Sequence, residues 1–502
     1  MSATSRTPRR AAAVLAATLL VLPTAHVAHA GPEGPALARA ATRAVGVDAV
    51  HRHLIAFQRI ADRNGGHRAP GSPGYLASAD YVADKLTAAG FTVTRQEFPV
   101  SYSEPTAEHL VVGGERIDVN YMLFTPNTPV GGITGPLAVV ADEATPGCEA
   151  ADFADADYTG AIVLVRRGVC SFAVKQQNAA AAGAAATLIY NNADSWLRGS
   201  LGSDAAARIP TGGLSEADGR ALRSRAGQPV SLDLRRFAEE RTSVNLVAQT
   251  ATGRADNVVV AGAYLDSVVE GPGISGNGTG AAALLETALA LGSRPKAANA
   301  VRFVWWGSWE FGQLGSRHYV ERLTFEQQLD IALYLNFDTL AAPNAGYFVY
   351  DGDNSTGQGP APGPHGSAHI ERTLVDYLAS VGVRAQGEAQ DPVSDQRWFT
   401  AAGIPSGTLF TGNQKRKTAA QAAEWGGTAG APFDTCYHEG CDDLGNVGRT
   451  ALGRNAKAVA WAVASYAAST GGVNGVPSRA QRAVTRSAAP QASAVAADLS
   501  TR

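Results

Sequence analysis

The chain has 502 residues, 45% of them hydrophobic and 17% charged, which is enough apolar material for several cores and too little charge for a disordered or fibrous chain. Its 42 Lys and Arg face 45 Asp and Glu; without the first 30 residues, which hold Arg6, Arg9 and Arg10 and no acid, the balance is 39 to 45. That acidic lean excludes the basic footprint of a nucleic-acid binder, and no apolar run after the first 30 residues reaches the ~20 residues of a membrane span.

Residues 1–30 read as a secretory signal peptide. Arg9-Arg10 form its basic start, Ala11–Leu22 its apolar stretch and Ala28-His29-Ala30 a small-x-small cleavage site. The mature protein is therefore expected to be secreted. An even cysteine count in an exported chain favours disulfides, and the two local pairs predict Cys148–Cys170 and Cys436–Cys441. Leu37–Ala89 is predicted helical, with Leu54, Ile55, Phe57 and Ile60 at helical spacing and a break at Gly71-Ser72-Pro73-Gly74. His51, His53 and His67 read as surface residues of this region. Phe91–Phe98 alternates as a strand, completing an N-terminal part at 31–98.

Residues 99–241 have a different texture and read as an inserted domain. It is predicted to hold strands at Leu137–Val140 and Ala161–Val165, a helix at Phe172–Ala182, a strand at Ala185–Tyr190 and a turn at Ile209-Pro210 and Gly212-Gly213. From 242 to 470 strands alternate with helices. The strands are Val244–Gln249, Val258–Leu265, Val301–Trp306, Ile331–Phe337 and Gly346–Tyr350. The helices are Ala281–Leu291, Gly315–Leu323, Ile370–Leu378 and Thr450–Ala468. This pattern predicts an α/β fold, a mostly parallel mixed sheet flanked by helices. Residues 471–502, rich in Ala, Ser, Pro and Arg, are expected to be a disordered tail. Open α/β sheets bind ligands beyond the carboxyl ends of their strands. Here those ends carry Tyr264-Leu265-Asp266-Ser267, Gly307-Ser308-Trp309-Glu310 and Asn336-Phe337-Asp338.

These strand ends, together with Asn64–Arg68, Gly71–Tyr75, Asp256–Glu286 and Cys436-Tyr437-His438 with Cys441-Asp442, resemble the co-catalytic di-zinc aminopeptidases, the family of bacterial leucyl aminopeptidases and glutamate carboxypeptidase. Gly160–Val165, Gly168, Cys170-Ser171-Phe172, Gly183 and Asn191-Asn192 resemble a protease-associated domain. The resemblance implies a zinc exopeptidase fold carrying a β-rich α/β insert. It also implies a site with two zinc ions bridged by one carboxylate and a water. Two cations polarise the peptide carbonyl and acidify the water, and a carboxylate removes its proton.

Carried over residue by residue, that site is incomplete. Asp266 matches the aspartate that orients a ligand histidine, but the histidine position is Tyr264. Gly276 stands where the bridging carboxylate belongs. Trp309 stands at the general base, beside Glu310 at the ligand glutamate. Asp338 and His438 match the remaining ligands, and Tyr437 matches the tyrosine that steadies the tetrahedral intermediate. Ser394-Asp395 matches a family loop near the substrate pocket. Loss of a base alone removes a factor of about 100 to 10,000. The expectation is a secreted, non-catalytic homologue that holds no zinc or one weakly bound ion and takes peptides or a protein partner in the former cleft. The alternative is an active metallo-aminopeptidase with a remodelled single-metal site built on Glu310, His438 and Asp338.

Overall fold

The computed structural model describes residues 1–2, 33–192, 196–197, 199–202, 205–391, 393–473 and 475–486. All but the first two residues of the signal segment, and the tail beyond 486, lie outside the described residues. No described helix is long and apolar enough to cross a membrane.

The centre of the molecule is a sheet whose middle strands are parallel. Ile331–Phe337, Arg254–Tyr264 and Asn299–Trp306 lie side by side, with Tyr264 opposite Trp306 and Asn336 opposite Gly262. Their apolar runs are continuous because both faces are covered. On one face Val259, Ala261, Phe303 and Leu335 pack under the helices Val47–Arg63, Thr279–Leu291 and Arg449–Ala468. On the other, Val260, Trp306 and Tyr334 pack against Tyr319, Trp398 and Phe399, borne by the helices Leu314–Glu321 and Gln396–Ala401. Ser406–Phe410, Phe348–Tyr350 and Gln386–Glu388 extend the sheet on one side; Pro229–Gln249 extends it on the other.

The insert joins this sheet through a continuous ribbon. Val93–Val112 and Pro229–Gln249 pair antiparallel from Val93 opposite Ala248 to Val112 opposite Val230, with one register shift near Pro105. The expected domain limits fall opposite each other inside it, Pro99 facing Thr242. Beyond the ribbon, Ile133–Val139, Ile162–Arg166, Ala186–Tyr190 and Thr211–Leu214 form a second parallel run with its own apolar clusters.

Three expectations need correction. The glycines at 212 and 213 lie in the buried strand Thr211–Leu214 rather than in a turn. A Cβ at Gly213 would stand 2.2 Å from the Leu197 carbonyl oxygen, so glycine here serves close approach of another backbone. Within the tail, Arg479–Arg486 is a helix. Its Arg482 is buried and donates to the backbone carbonyls of Leu329, Pro477 and Asp256 and to Asn257 Oδ1. His53 is not a surface residue. It is buried between the Tyr81 hydroxyl at 2.8 Å and Glu286 Oε2 at 3.1 Å.

Candidate active site

The three parallel strands end level, so their carboxyl-terminal loops open onto one place. Tyr264 is the last residue of its strand and is buried. The loop after Trp306 turns back through Ser308, at φ +61°, and presents Trp309 and Glu310. Asp266 fixes that turn: its carboxylate accepts from the backbone N–H groups of Trp309 and Glu310, both at 3.0 Å. Burial pushes the Asp266 carboxyl up to about 6, against the pull of those bonds. With no histidine to orient, Asp266 anchors backbone.

The indole of Trp309 lies flat on the Tyr264 ring, centroids 4.3 Å apart and planes 7° from parallel. Both rings belong to the aromatic core on the second face of the sheet, with Trp306, Tyr334 and Phe399. The hydrophobic core therefore continues to positions 264 and 309 at the strand ends.

Some polar atoms of the site are held by neighbours, whereas Tyr264 Oη, Trp309 Nε1, Glu310 Oε1 and Ser275 Oγ are buried without a hydrogen-bond partner among the described residues. Glu310 Oε2 lies 3.3 Å from His438 Nε2. Burial first, then the neighbouring Asp266 and Glu270, pushes the Glu310 carboxyl well above its ordinary range. His438 stacks on Tyr437 with centroids 3.9 Å apart, in the loop closed by the Cys436–Cys441 disulfide. The Cys148–Cys170 disulfide is likewise formed. Asp338 accepts from Thr339 Oγ1 at 2.9 Å and faces Tyr264, and burial pushes its carboxyl up to about 6. Asp395 accepts from Ser316 Oγ, and Ser394 Oγ from Asn336 Nδ2 at 3.3 Å, so this pair ties helices to the sheet.

The loop that should carry the bridge is held by residues whose role was not legible. Asp442 accepts from the N–H groups of Ser275 at 2.8 Å and Gly276 at 3.0 Å. Asn277 accepts from Gly280 N–H and Thr339 N–H and donates to the Phe337 carbonyl. Its amide is wholly engaged with backbone. Arg68, fully buried, donates to the carbonyls of Leu265, Pro272 and Gly273. A Cβ at Gly276 would meet Tyr437, Asp442 and Thr339 at ordinary contact distances of 3.6–3.7 Å. Its φ of −112° suits any residue, so neither space nor backbone requires glycine there.

Residues 245–463 match peptidase family M28 and residues 133–222 match the PA domain. A Mycobacterium tuberculosis protein named probable lipoprotein aminopeptidase LpqL is 46% identical over 456 residues, 90% of this chain and 91% of its own. The chain belongs to peptidase family M28. An aminopeptidase of Pseudomonas aeruginosa is 38% identical over 462 residues, spanning 89% of this chain and 85% of that one. The solved aminopeptidase from Aneurinibacillus sp. strain AM-1 superposes with a TM-score of 0.68 at 25% identity, over 88% of this chain and 98% of that one. The zinc aminopeptidase BSAP from Bacillus subtilis shares the fold, with a TM-score of 0.63 at 24% identity over 83% and 94% of the two chains.

Glu310, His438 and Asp338 do not form, among the described residues, a group of three ligand atoms all within 4.8 Å of one another. Among the described residues, the group of three whose ligand atoms lie within 4.8 Å of one another is Asp351, Asp353 and Glu371, outside the site. Its oxygens already serve the local backbone: Asp351 accepts from Ser355 and Thr356 N–H, and Glu371 from Gly352 N–H.

Proposed function

We propose that this protein is an exported M28 scaffold that does not hydrolyse peptides and acts by binding peptides in its former cleft. The observation that carries the reading is the buried Tyr264–Trp309 stack, which puts an aromatic core where a ligand imidazole and a general base are needed. An indole has no basic site near neutral pH, so no side chain at 309 can take a proton from water. The donor set does not fit two zinc ions. Gly276 offers no bridge, and Glu310 and His438, whose Oε2 and Nε2 lie 3.3 Å apart, do not form with Asp338 a group of ligand atoms all within 4.8 Å of one another. Catalytic zinc takes three protein ligands and an open position. Export rests on the leader, on the two disulfides and on a relative whose name is that of a lipoprotein. Nothing in the site favours a protein partner over a peptide.

The test is zinc content together with hydrolysis of a leucyl chromogenic amide, on the mature chain dialysed against zinc and then against metal-free buffer. The expected result is substoichiometric zinc and background turnover. Near-stoichiometric zinc with turnover overturns the reading and supports a single-metal aminopeptidase on Glu310, His438 and Asp338. The triple variant Tyr264→His, Gly276→Asp, Trp309→Glu is expected to regain zinc.

A further inference from the structure

The insert contains a buried cation that neither the sheet nor the candidate site uses. Lys175, in the helix Phe172–Ala181, has no exposed surface. Its ammonium donates to the Pro146 carbonyl and lies 3.7 Å from Cys148 Sγ, one end of the Cys148–Cys170 disulfide. Among the described residues no carboxylate pairs with it. Burial holds its pKa down to about 8, so it remains a cation near neutral pH. Both cysteines are half-buried rather than buried, and Val169 beside Cys170 is exposed.

We propose that Cys148–Cys170 is a thiol–disulfide exchange site for low-molecular-weight thiols, with Lys175 making Cys148 the leaving sulfur. The attacking thiolate sulfur bonds to Cys170 Sγ, the Cys148–Cys170 bond breaks, and its electron pair stays on Cys148 Sγ beside the ammonium. The products are a mixed disulfide on Cys170 and a Cys148 thiolate. A second thiolate attacks the small thiol's sulfur in that mixed disulfide, releasing the oxidised small molecule and a Cys170 thiolate.

The direction follows from which sulfur better carries negative charge, since a lower leaving-group pKa speeds exchange. A neighbouring Lys lowers a cysteine pKa from about 8.5 towards roughly 3.5–7.5. The Pro146 and Gly168 carbonyl oxygens, 3.9 and 3.8 Å from Cys148 Sγ, oppose this with partial charges, and the charge of Asp152 acts on Lys175 from further off without an ion pair among the described residues. No cation among the described residues is in contact with Cys170 Sγ. Among the described residues Cys436–Cys441 has no lysine hydrogen-bonded to it either, so the molecule carries its own control. The inference rests on the insert alone and stands whether or not the M28 site is active.

The experiment exposes the full mature chain to excess reduced glutathione without oxygen, quenches with acid, alkylates free thiols and maps the peptides by mass spectrometry. The first product is expected to carry glutathione on Cys170 and the alkyl label on Cys148, with Cys436–Cys441 intact. Lys175→Gln is expected to slow its appearance by about tenfold or more, and Lys175→Arg to restore most of the rate. Glutathione found first on Cys148, earlier opening of Cys436–Cys441, or an unchanged rate in a folded Lys175→Gln chain each overturns the proposal. Because the position of the first adduct is read on the unmodified protein, the test does not depend on the variants folding.

Discussion

Trp309 is the residue on which the reading of the site turns, and its two possible roles differ in energy. A side chain lining a wet cleft contributes little to folding, and its removal from an active site often stabilises. A core indole stacked on a phenol contributes its buried area and about 0.5–1.5 kcal/mol of pair geometry besides. Trp309→Ala is therefore expected to lower the urea-unfolding free energy by about 3–5 kcal/mol. A change within about 0.5 kcal/mol, the usual range for a surface site, would show that the ring is not core. Lys175 permits a second prediction at the same scale. Its pKa is about 8 in the folded chain and 10.5 by its ordinary value. Between those values the unfolded chain binds more protons, so stability rises with pH across that window, and the full penalty is present below it. A shift of this size corresponds to a penalty on the order of 3 kcal/mol. Lys175→Met should flatten the rise in denaturation midpoint between pH 8 and 10.5 relative to the unmodified chain. Parallel slopes in the two proteins would show that the lysine is not held as a buried cation.

The ribbon Val93–Val112 with Pro229–Gln249 decides how the two parts of the chain depend on each other. The apolar clusters of the insert draw on residues different from those that cover the main sheet. Pro99 and Thr242 face each other across the ribbon, which is the geometry a two-residue hairpin turn closes. Replacing residues 100–241 by Asn-Gly should leave a chain that unfolds cooperatively and keeps the near-ultraviolet circular dichroism of the Trp306–Tyr334–Phe399 cluster. A molten or aggregated product would make the insert integral to the sheet. The same elements explain what could be read in advance. Ile331–Phe337 and Val258–Leu265 were legible because strands buried on both faces are continuous apolar runs. Thr211–Leu214 was not, because its glycines follow from a neighbour's backbone that is remote in sequence. Arg479–Arg486 was not, because its arginines serve carbonyls far away in the chain. In the site, the positions 264, 276, 309, 310, 338, 437 and 438 were legible through resemblance, and the structure stacks Trp309 on Tyr264 and sets Glu310 beside His438. The new partners, Asp266 on backbone and Asp442 and Arg68 around the 273–278 loop, arise only once the chain has folded.

Taken whole, the molecule keeps the architecture of an M28 peptidase, and the loops around its candidate site are held by contacts made within the chain. A ligand that binds only the folded state stabilises it, by about 2.7 kcal/mol at one hundred times its dissociation constant. An M28 protein that holds its ions should therefore melt lower after chelation. Here Glu310 lies beside His438, Asp338 is engaged by Thr339, and the 273–278 loop is braced by Asp442, Asn277 and Arg68. The melting temperature of the unmodified chain is expected to be the same in chelator and in excess zinc. The variant Tyr264→His, Gly276→Asp, Trp309→Glu should start lower, because it exchanges stacked aromatics for polar groups in a buried place, and then recover on addition of zinc. A control separates this site from the Asp351, Asp353 and Glu371 group elsewhere. If chelation lowers the melting temperature of the unmodified chain, and the effect vanishes in His438→Ala but survives in Asp353→Asn, the former catalytic centre binds metal after all. The two aromatic rings would then be the wall of a working site.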